Sequence, residues 1–186
     1  ARALRRGPAG VKPIRRGHGE QPDVAPVFRH QADRLDCLGR DRAGIGNHGC
    51  IDVVGIGPDY LVVDPGPDDA THMDRILAAT NGRISHVLCT HSHPDHSPGA
   101  AALKARTQAV VLGQPAPRDE HQDDSYRPDR TLDDGDLVKV PGAGIRALHT
   151  PGHASNHVCL LFEAEGWLLT GDHLMNGSTV VILPPD

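Results

Sequence analysis

The run from Thr90 to His96, T-H-S-H-P-D-H, constrains this chain more than any other stretch. It places three histidines and one aspartate within six residues, directly after an apolar segment. Imidazole nitrogen and carboxylate oxygen are ligands that zinc and similar divalent cations prefer. Side chains alternate along an extended strand end, so His91 and His93 point the same way and can reach one ion. Asp95 and His96 fall on the following turn, where they can face a second ion.

The alternative is a surface loop that is merely rich in histidine, because the chain contains 13 histidines. These ligand types rarely arise by accident in this order after a buried strand. The run therefore favours a metal site.

Two further motifs carry ligand atoms. H-T-P-G-H ends at His153, after a predicted strand, and L-L-T-G-D ends at Asp172. Taken alone, His153 is typical of a Pro-Gly turn and Asp172 of a turn or a helix N-cap. Together with the first run, His153 would add a third nitrogen beside His91 and His93. Asp172 would supply a carboxylate able to bridge two cations.

The order of predicted elements indicates sheets covered by helices rather than an all-β sandwich. Strands outnumber helices, yet helices recur in the first half. The segment 113–130 is polar and contains prolines, which predicts an exposed loop. Strands are predicted over 50–55, 60–64, 84–90, 108–113, 136–140, 145–149, 158–163, 167–170 and 179–183, and helices over 70–81 and 98–107.

Charge is distributed unevenly along the chain. Residues 1–42 hold ten Lys/Arg and five Asp/Glu, and the remainder holds nine and nineteen. Residues 1–48 are rich in Arg, Gly and Pro without periodicity, which predicts a poorly ordered basic tail before a domain over 49–186. A basic tail can contact nucleic acid. The acidic body matches a phosphate backbone poorly, so nucleic acid is not the favoured partner.

The sequence favours a cytoplasmic protein without a membrane partner. No apolar run approaches the roughly 20 residues of a membrane span. The start, A-R-A-L-R-R-G-P, has no apolar stretch behind its basic residues, as a secretory signal would. The four cysteines form no C-x-x-C pair, and Cys89 and Cys159 lie in apolar runs, as buried free thiols do.

V-V-D-P-G, containing Asp64, precedes the three motifs above. In this order they closely resemble the metallo-β-lactamase superfamily of metal-dependent hydrolases, over about residues 50–186. The resemblance implies an α/β (α+β) fold, an αββα sandwich with metals at the strand ends along one edge. The stretch 171–186 looks most like the subgroup related to glyoxalase II and β-lactamase-like protein 2.

The resemblance also implies the roles of the site residues. Two zinc ions are expected, with one iron or another divalent ion as the alternative. Asp95 would additionally orient a metal-bound hydroxide. The implied ligands are His91, His93 and His153 for the first ion, Asp95 and His96 for the second and Asp172 between them, with Asp64 orienting a ligand histidine through its far ring nitrogen.

The sequence departs from the family pattern in two places. Relatives carry one further histidine well beyond Asp172, and this sequence stops at Asp186. Residues 1–48 lack the opening strand common in relatives. We therefore expect the C-terminal part of the domain to be missing and the second metal position to be the less certain one.

The resemblance predicts hydrolysis of a small ester or thioester by a metal-bound hydroxide. Three alternatives stay open: an endoribonuclease of the β-lactamase-like protein 2 type, a mononuclear iron sulfur dioxygenase, and a truncated, inactive metal-binding module. Flavodiiron oxygen reductases are less favoured, because they tend to carry Glu at the position of His93. His157 and His173 either support the ligands or simply pack nearby. The sequence leaves substrate and oligomeric state open.

Overall fold

The computed structural model describes residues 52–56, 58–140, 142–164, 166–174 and 179–182. The predicted basic tail over residues 1–48 lies outside this part of the chain. Among the residues described, no helix has the length and apolar character needed to cross a membrane.

The first sheet has five strands in the order β1-β2-β3-β4-β5. The pair β1 and β2 is antiparallel, and β2 through β5 are parallel to their neighbours. The helices α1, Ala70–Thr80, and α2, Gly99–Thr107, provide the crossovers that parallel strands require. The strands are β1 (Asp52–Ile56), β2 (Asp59–Val63), β3 (Ile84–Leu88), β4 (Val110–Gly113) and β5 (Arg130–Thr131).

The second sheet is an antiparallel meander of four strands in the order β6-β7-β8-β9. Its strands are β6 (Leu137–Val140), β7 (Ala143–His149), β8 (Val158–Phe162) and β9 (Trp167–Leu169). A short 3-10 helix, Gly171–His173, follows β9. Strand β7 and strand β9 both run antiparallel to β8, so their carboxyl ends lie at the same edge.

Alternating side chains divide the core into two layers. Along β2, Leu61 and Val63 face the second sheet, and Val62 faces the helices. This follows from the period of two along a strand. On the helix side, Met73 of α1 and Leu103 of α2 are buried against the first sheet. The molecule therefore has two packed sheets, with α1 and α2 covering the outer face of the first.

Helix α1 has a clear start and stop. The Asp69 side chain accepts a hydrogen bond from the His72 backbone N–H at 2.8 Å, as an N-cap does. Asn81 takes a left-handed conformation at φ 51° and closes the helix. The sequence predicted this helix over 70–81, and the observed element ends one residue earlier.

The carboxyl ends of β3, β7 and β9 lead into three loops at one edge of the molecule. A backbone hydrogen bond from Val158 N–H to the Thr90 carbonyl, 2.8 Å long, joins the two sheets there. Cys89, at the same end of β3, is buried, and burial raises the pKa of its thiol. This edge holds the side chains of the predicted metal site.

Two predictions about secondary structure and exposure were wrong. The predicted strand over 179–183 does not form within 179–182, and Leu183 lies outside the described residues. Val181 and Ile182 are 57% and 59% exposed, so their apolar character alone did not produce a strand. The loop over 113–130 is not wholly exposed, because Gln122 and Tyr126 are buried within it. The remaining strands form within a few residues of their predicted bounds.

Candidate metal centre

Four histidines and one aspartate converge at the shared edge of the two sheets. His91, His93 and His96 lie on the turn after β3, His153 follows β7, and Asp172 lies in the 3-10 helix after β9. Their potential ligand atoms form two groups, each within 4.8 Å: His91, His93 and His153, and His91, His96 and Asp172. His91 belongs to both groups. The arrangement could hold metal ions at two adjacent positions.

Asp64 fixes the turn that carries three of these histidines. It adopts a left-handed backbone at φ 50°, which Asp tolerates better than most residues. Its Oδ1 accepts the Thr90 backbone N–H at 2.7 Å, and its Oδ2 accepts the Thr90 hydroxyl at 2.8 Å. The ends of β2 and β3 are thereby held together directly before His91.

His91 is held in one tautomer. Its Nδ1 lies 3.0 Å from Thr90 Oγ1. Because the Thr90 hydroxyl proton is donated to Asp64, Oγ1 accepts from the Nδ1–H of His91. The Nε2 lone pair then faces the cluster. Burial lowers the pKa of His91, and the neighbouring imidazoles, led by His96, lower it further, so the ring is neutral.

His96 stands between acidic groups. Its Nδ1 lies 3.0 Å from Asp64 Oδ2, and its Nε2 lies 3.6 Å from Asp95 Oδ2 and 3.5 Å from Asp172 Oδ2. Burial works to lower the pKa of His96. The carboxylate of Asp64, followed by those of Asp172 and Asp95, outweighs burial and raises that pKa well above its ordinary value. The far ring nitrogen of His96 thus faces Asp64.

His93 and His153 approach each other directly. His93 Nδ1 lies 3.0 Å from His153 Nε2. His153 Nδ1 lies 2.5 Å from the Val181 carbonyl oxygen. A carbonyl can only accept, so Nδ1 of a neutral His153 carries the proton and Nε2 presents its lone pair to the cluster.

Asp172 belongs to the second group and also approaches the first. Its Oδ2 is 3.5 Å from His96 Nε2 and 3.7 Å from His153 Nε2. The preceding Gly171 has φ 46°, and a Cβ there would lie 2.7 Å from both His157 Nε2 and Thr90 Oγ1. Only glycine allows the chain to pass this close, and the close passage brings Asp172 to the cluster.

The donor set suits a divalent cation. Nε2 of His91 and Nε2 of His96 are buried and have no hydrogen-bond partner among the residues described. Buried polar atoms without a partner are rare. The second ring nitrogens of His91, His96 and His153 each face an oxygen atom, as they do in metal-ligating histidines.

Asp95 occupies a more open position than the other predicted ligands. Its side chain is 42% exposed. It lies next to His96 but belongs to neither group of ligand atoms. The structure thus brings together His91, His93, His96, His153 and Asp172, with Asp64 behind them and Asp95 at the rim.

His157 and His173 were left undecided between supporting the ligands and packing. His157 is fully buried, and its ring centroid lies 5.2 Å from that of His91. Its Nδ1 lies 2.9 Å from Thr150 Oγ1, and burial lowers its pKa to about 3. The ring centroid of His173 lies 5.7 Å from that of His157. His157 therefore contacts a cluster histidine, and His173 contacts His157.

Sequence reasoning missed three contributors to this centre. Thr90 stands inside the quoted motif, and its hydroxyl could have been found from its place beside His91. Gly171 precedes Asp172 in T-G-D, but its steric role depends on the approach of Thr90 and His157. The Val181 carbonyl has no sequence signal, because every residue carries a carbonyl.

The family follows from comparison with known proteins. Residues 52–185 match the family model of the Metallo-beta-lactamase superfamily. The chain belongs to the metallo-β-lactamase superfamily. The expected fold is confirmed, since solved structures of this superfamily share it. The superfamily is metal-dependent, and the cluster described above could hold the metal.

Curated relatives of this metallo-β-lactamase chain are longer than it is. A lactamase-like protein, notP, of Aspergillus sp. (strain MF297-2) is 34% identical over 137 residues, which are 70% of this chain and 40% of the relative. An atrochrysone carboxyl ACP thioesterase of Emericella nidulans is 32% identical over 166 residues, 87% of this chain and 50% of the relative. The chain spans half or less of the length of these two relatives.

Two solved structures illustrate the shared metallo-β-lactamase fold. A metallo-beta-lactamase family protein from Thermus thermophilus superposes with TM-score 0.57 at 22% identity, covering 70% of this chain and 56% of that one. ETHE1 from Myxococcus xanthus gives TM-score 0.56 at 26% identity, covering 69% and 54%. The predicted glyoxalase II subgroup stays a prediction, because the curated relatives above are named lactamase-like proteins and thioesterases.

Proposed function

We propose that this chain is a metal-dependent hydrolase of acyl thioesters, with carrier-linked thioesters as the substrate class and small esters as a lesser one. The observation that carries the proposal is the buried cluster in which two groups of ligand atoms share His91. The names of curated relatives, which include ACP thioesterases, support the thioester over other hydrolysable bonds.

The cluster offers two adjacent positions for cations. His91, His93 and His153 would hold one, and His96 and Asp172 would hold the other, with Asp172 reaching both. Zinc is the proposed metal, since imidazole and carboxylate are ligands that zinc commonly takes in proteins. When bound, such cations supply Lewis acidity, which lowers the pKa of bound water to about 7 and polarises a carbonyl oxygen.

The remaining steps belong to side chains of this protein. Asp95, half exposed at the rim, would accept a proton from the attacking water while the water oxygen bonds to the acyl carbon. The carbon–sulfur bond then breaks, and the leaving thiolate would take the proton that Asp95 accepted, which gives the carboxylic acid and the free thiol. Asp64 and Thr90 hold His91 and His96 in place and do not touch the reacting atoms.

A thioesterase assay with metal analysis tests this function. The zinc-loaded chain should hydrolyse an acyl N-acetylcysteamine thioester, lose activity with a chelator and regain it with zinc. His93→Ala and Asp172→Ala should each lose bound metal and turnover. His86→Ala is the matched control, because His86 lies on β3 outside the cluster, and it should retain both. Full turnover without bound metal, or no thioester hydrolysis by loaded protein, would contradict the proposal.

Metal identity separates the competing functions. Two zinc ions per chain, measured by plasma mass spectrometry, would support the hydrolase. One iron with oxygen uptake on a sulfur substrate would favour the dioxygenase instead. RNA cleavage that weakens steeply with salt would favour the endoribonuclease. Placement in the glyoxalase II subgroup remains part of the same proposal.

A further inference from the structure

The segment 115–128, between β4 and β5, lines a cavity of about 710 Å³. None of the cluster residues lines it. Its walls carry both signs of charge and several prolines. The lining residues are Pro115, Ala116, Pro117, Arg118, Asp119, Glu120, Asp124, Tyr126, Arg127 and Pro128.

A buried polar network ties this cavity to the metal centre. Ser92, which lies between His91 and His93, is fully buried. Its hydroxyl donates to Gln122 Oε1 at 2.5 Å and accepts from Asn156 Nδ2 at 2.8 Å. Ser92 is therefore hydrogen-bonded both to the cavity segment and to the loop that carries His153.

The network continues into the cavity wall. Asn156 Nδ2 also donates to the Pro115 carbonyl at 3.3 Å, and Gln122 Nε2 donates to Asp119 Oδ2 at 3.0 Å. A carbonyl and a carboxylate can only accept, so the orientation of both amide groups is fixed. Pro115 and Asp119 both line the cavity. Each amide thus joins Ser92 to one wall residue.

The polar network of Ser92, Gln122 and Asn156 is not the arrangement that would give the greatest stability. Gln122 and Asn156 are 7% and 6% exposed, and Asn156 Oδ1 has no hydrogen-bond partner in the described part of the chain. Apolar side chains of similar volume would anchor a loop without leaving a buried acceptor unpaired. Directional bonds fix the position of a loop, which apolar contacts do less well. The network therefore sets where the cavity lies relative to His91 and His93.

We propose that this cavity is the subsite for the thiol arm of the thioester, and that Ser92, Gln122 and Asn156 position it against the metal centre. The inference rests on the proposed thioesterase function. A carrier arm is a chain of amides that ends in a phosphate. Arg118 and Arg127 offer guanidinium donors to amide carbonyls and phosphate. The proline surfaces and the Tyr126 ring offer apolar contact to the methylenes. The volume lies within the range of small-molecule sites.

The test compares two benzoyl thioesters that differ only in the thiol, phosphopantetheine or the truncated N-acetylcysteamine. Gln122→Ala should raise KM for the phosphopantetheine thioester by about tenfold, the equivalent of one lost hydrogen-bonded contact. It should leave bound metal unchanged and alter kcat for the short thioester less than about twofold. Arg118→Ala should show the same dependence on the thiol.

Gln114→Ala is the matched control. Gln114 lies in the same loop and its side chain donates to the Leu132 carbonyl, but it neither lines the cavity nor joins the network. This control should leave the ratio of the two KM values unchanged. Equal increases in KM for both thioesters in Gln122→Ala would overturn the subsite. Loss of metal in Gln122→Ala would also overturn it, since the network would then serve the metal centre.

A failure of the proposed thioesterase function would give a different result from a failure of the subsite. Metal-loaded wild-type protein that hydrolyses neither thioester would remove the proposed function and this inference with it. An active wild-type protein whose Gln122→Ala and Arg118→Ala variants show unchanged KM values would overturn the subsite alone.

Discussion

Asp64 contacts both parts of the turn that holds the histidines. Through Thr90 it fixes the proton of His91, and directly it faces Nδ1 of His96. One carboxylate therefore orients two imidazoles that belong to different positions of the cluster. Removing its charge should affect both positions together.

Asp64→Asn should weaken metal binding by about 10- to 100-fold, because the neutral amide removes the charge that lies 3.0 Å from His96 Nδ1 and cannot accept from both the Thr90 N–H and the Thr90 hydroxyl as the carboxylate does. Asn tolerates the left-handed backbone at this position, so the fold should remain. Competition with a chelating dye measures the affinity. Asp69→Asn is the control, since Asn serves equally well as an N-cap. Unchanged affinity in Asp64→Asn would exclude the orienting role.

Gly171→Ala tests the close passage beside Thr90. The new Cβ would meet Thr90 Oγ1 and His157 Nε2 at 2.7 Å, so Asp172 should move away from the cluster and turnover should fall at least about tenfold. Gly166→Ala separates this clash from backbone strain. Gly166 also has positive φ, at 67°, but nothing lies within 4 Å of its Cβ position. Both variants place a Cβ on a left-handed backbone, which costs roughly 1–2 kcal/mol. Only Gly171→Ala should lose activity and bound metal. Equal activity in the two variants would contradict the steric argument.

At this scale the sequence predicted the residues whose side chains carry distinctive chemistry. His91 and His93 were predicted to lie together because of the run T-H-S-H-P-D-H, and His153 was added only because H-T-P-G-H accompanies that run. The Val181 carbonyl and the Ser92 hydroxyl were not recognisable, since their roles depend on which atoms fold against them.

At the scale of elements, the strand ends decide which side chains meet. β3, β7 and β9 end at one edge, and each is followed by a loop that carries part of the cluster. Alternation and turn residues predicted these strands. They could not predict that 179–182 stays out of a sheet, because an apolar run forms a strand only where a neighbour offers backbone partners.

Helix α1 offers a test of an element away from the cluster. Asp69→Ala should lower the free energy of unfolding by about 1 kcal/mol, because it removes the N-cap bond to the His72 N–H. Asp68→Ala, one residue earlier, exposed and outside the cap, should change it by less than about 0.5 kcal/mol. Chemical denaturation measures both values. Metal content should be unaffected, and an Asp69→Ala variant as stable as Asp68→Ala would refute the cap.

At the scale of the whole molecule, the cluster draws on both sheets. His91, His93 and His96 follow the first sheet, and His153 and Asp172 belong to the second. The inter-sheet core joins the same layers. A bound cation would therefore cross-link the two layers of the sandwich at one edge.

Metal removal should therefore lower the thermal stability of the whole domain. A ligand present at 100 times its dissociation constant adds about 2.7 kcal/mol, which corresponds to a fall in Tm of roughly 5–15 °C on chelation. Calorimetry with and without a chelator measures the change. The His93→Ala variant should show little response to the chelator. An equal response in wild type and His93→Ala would indicate that the chelator acts elsewhere.

The division of the cluster between two sheets also has a meaning for biosynthesis. The residues from His91 to His96 are close in sequence, but His153 and Asp172 join them only after the second sheet has formed and docked. A nascent chain that carries only the first sheet lacks two of the five converging side chains and so offers any ion an open, weak site. A retained ion would then indicate that the two sheets have docked, so tight metal binding would depend on completed assembly of the domain.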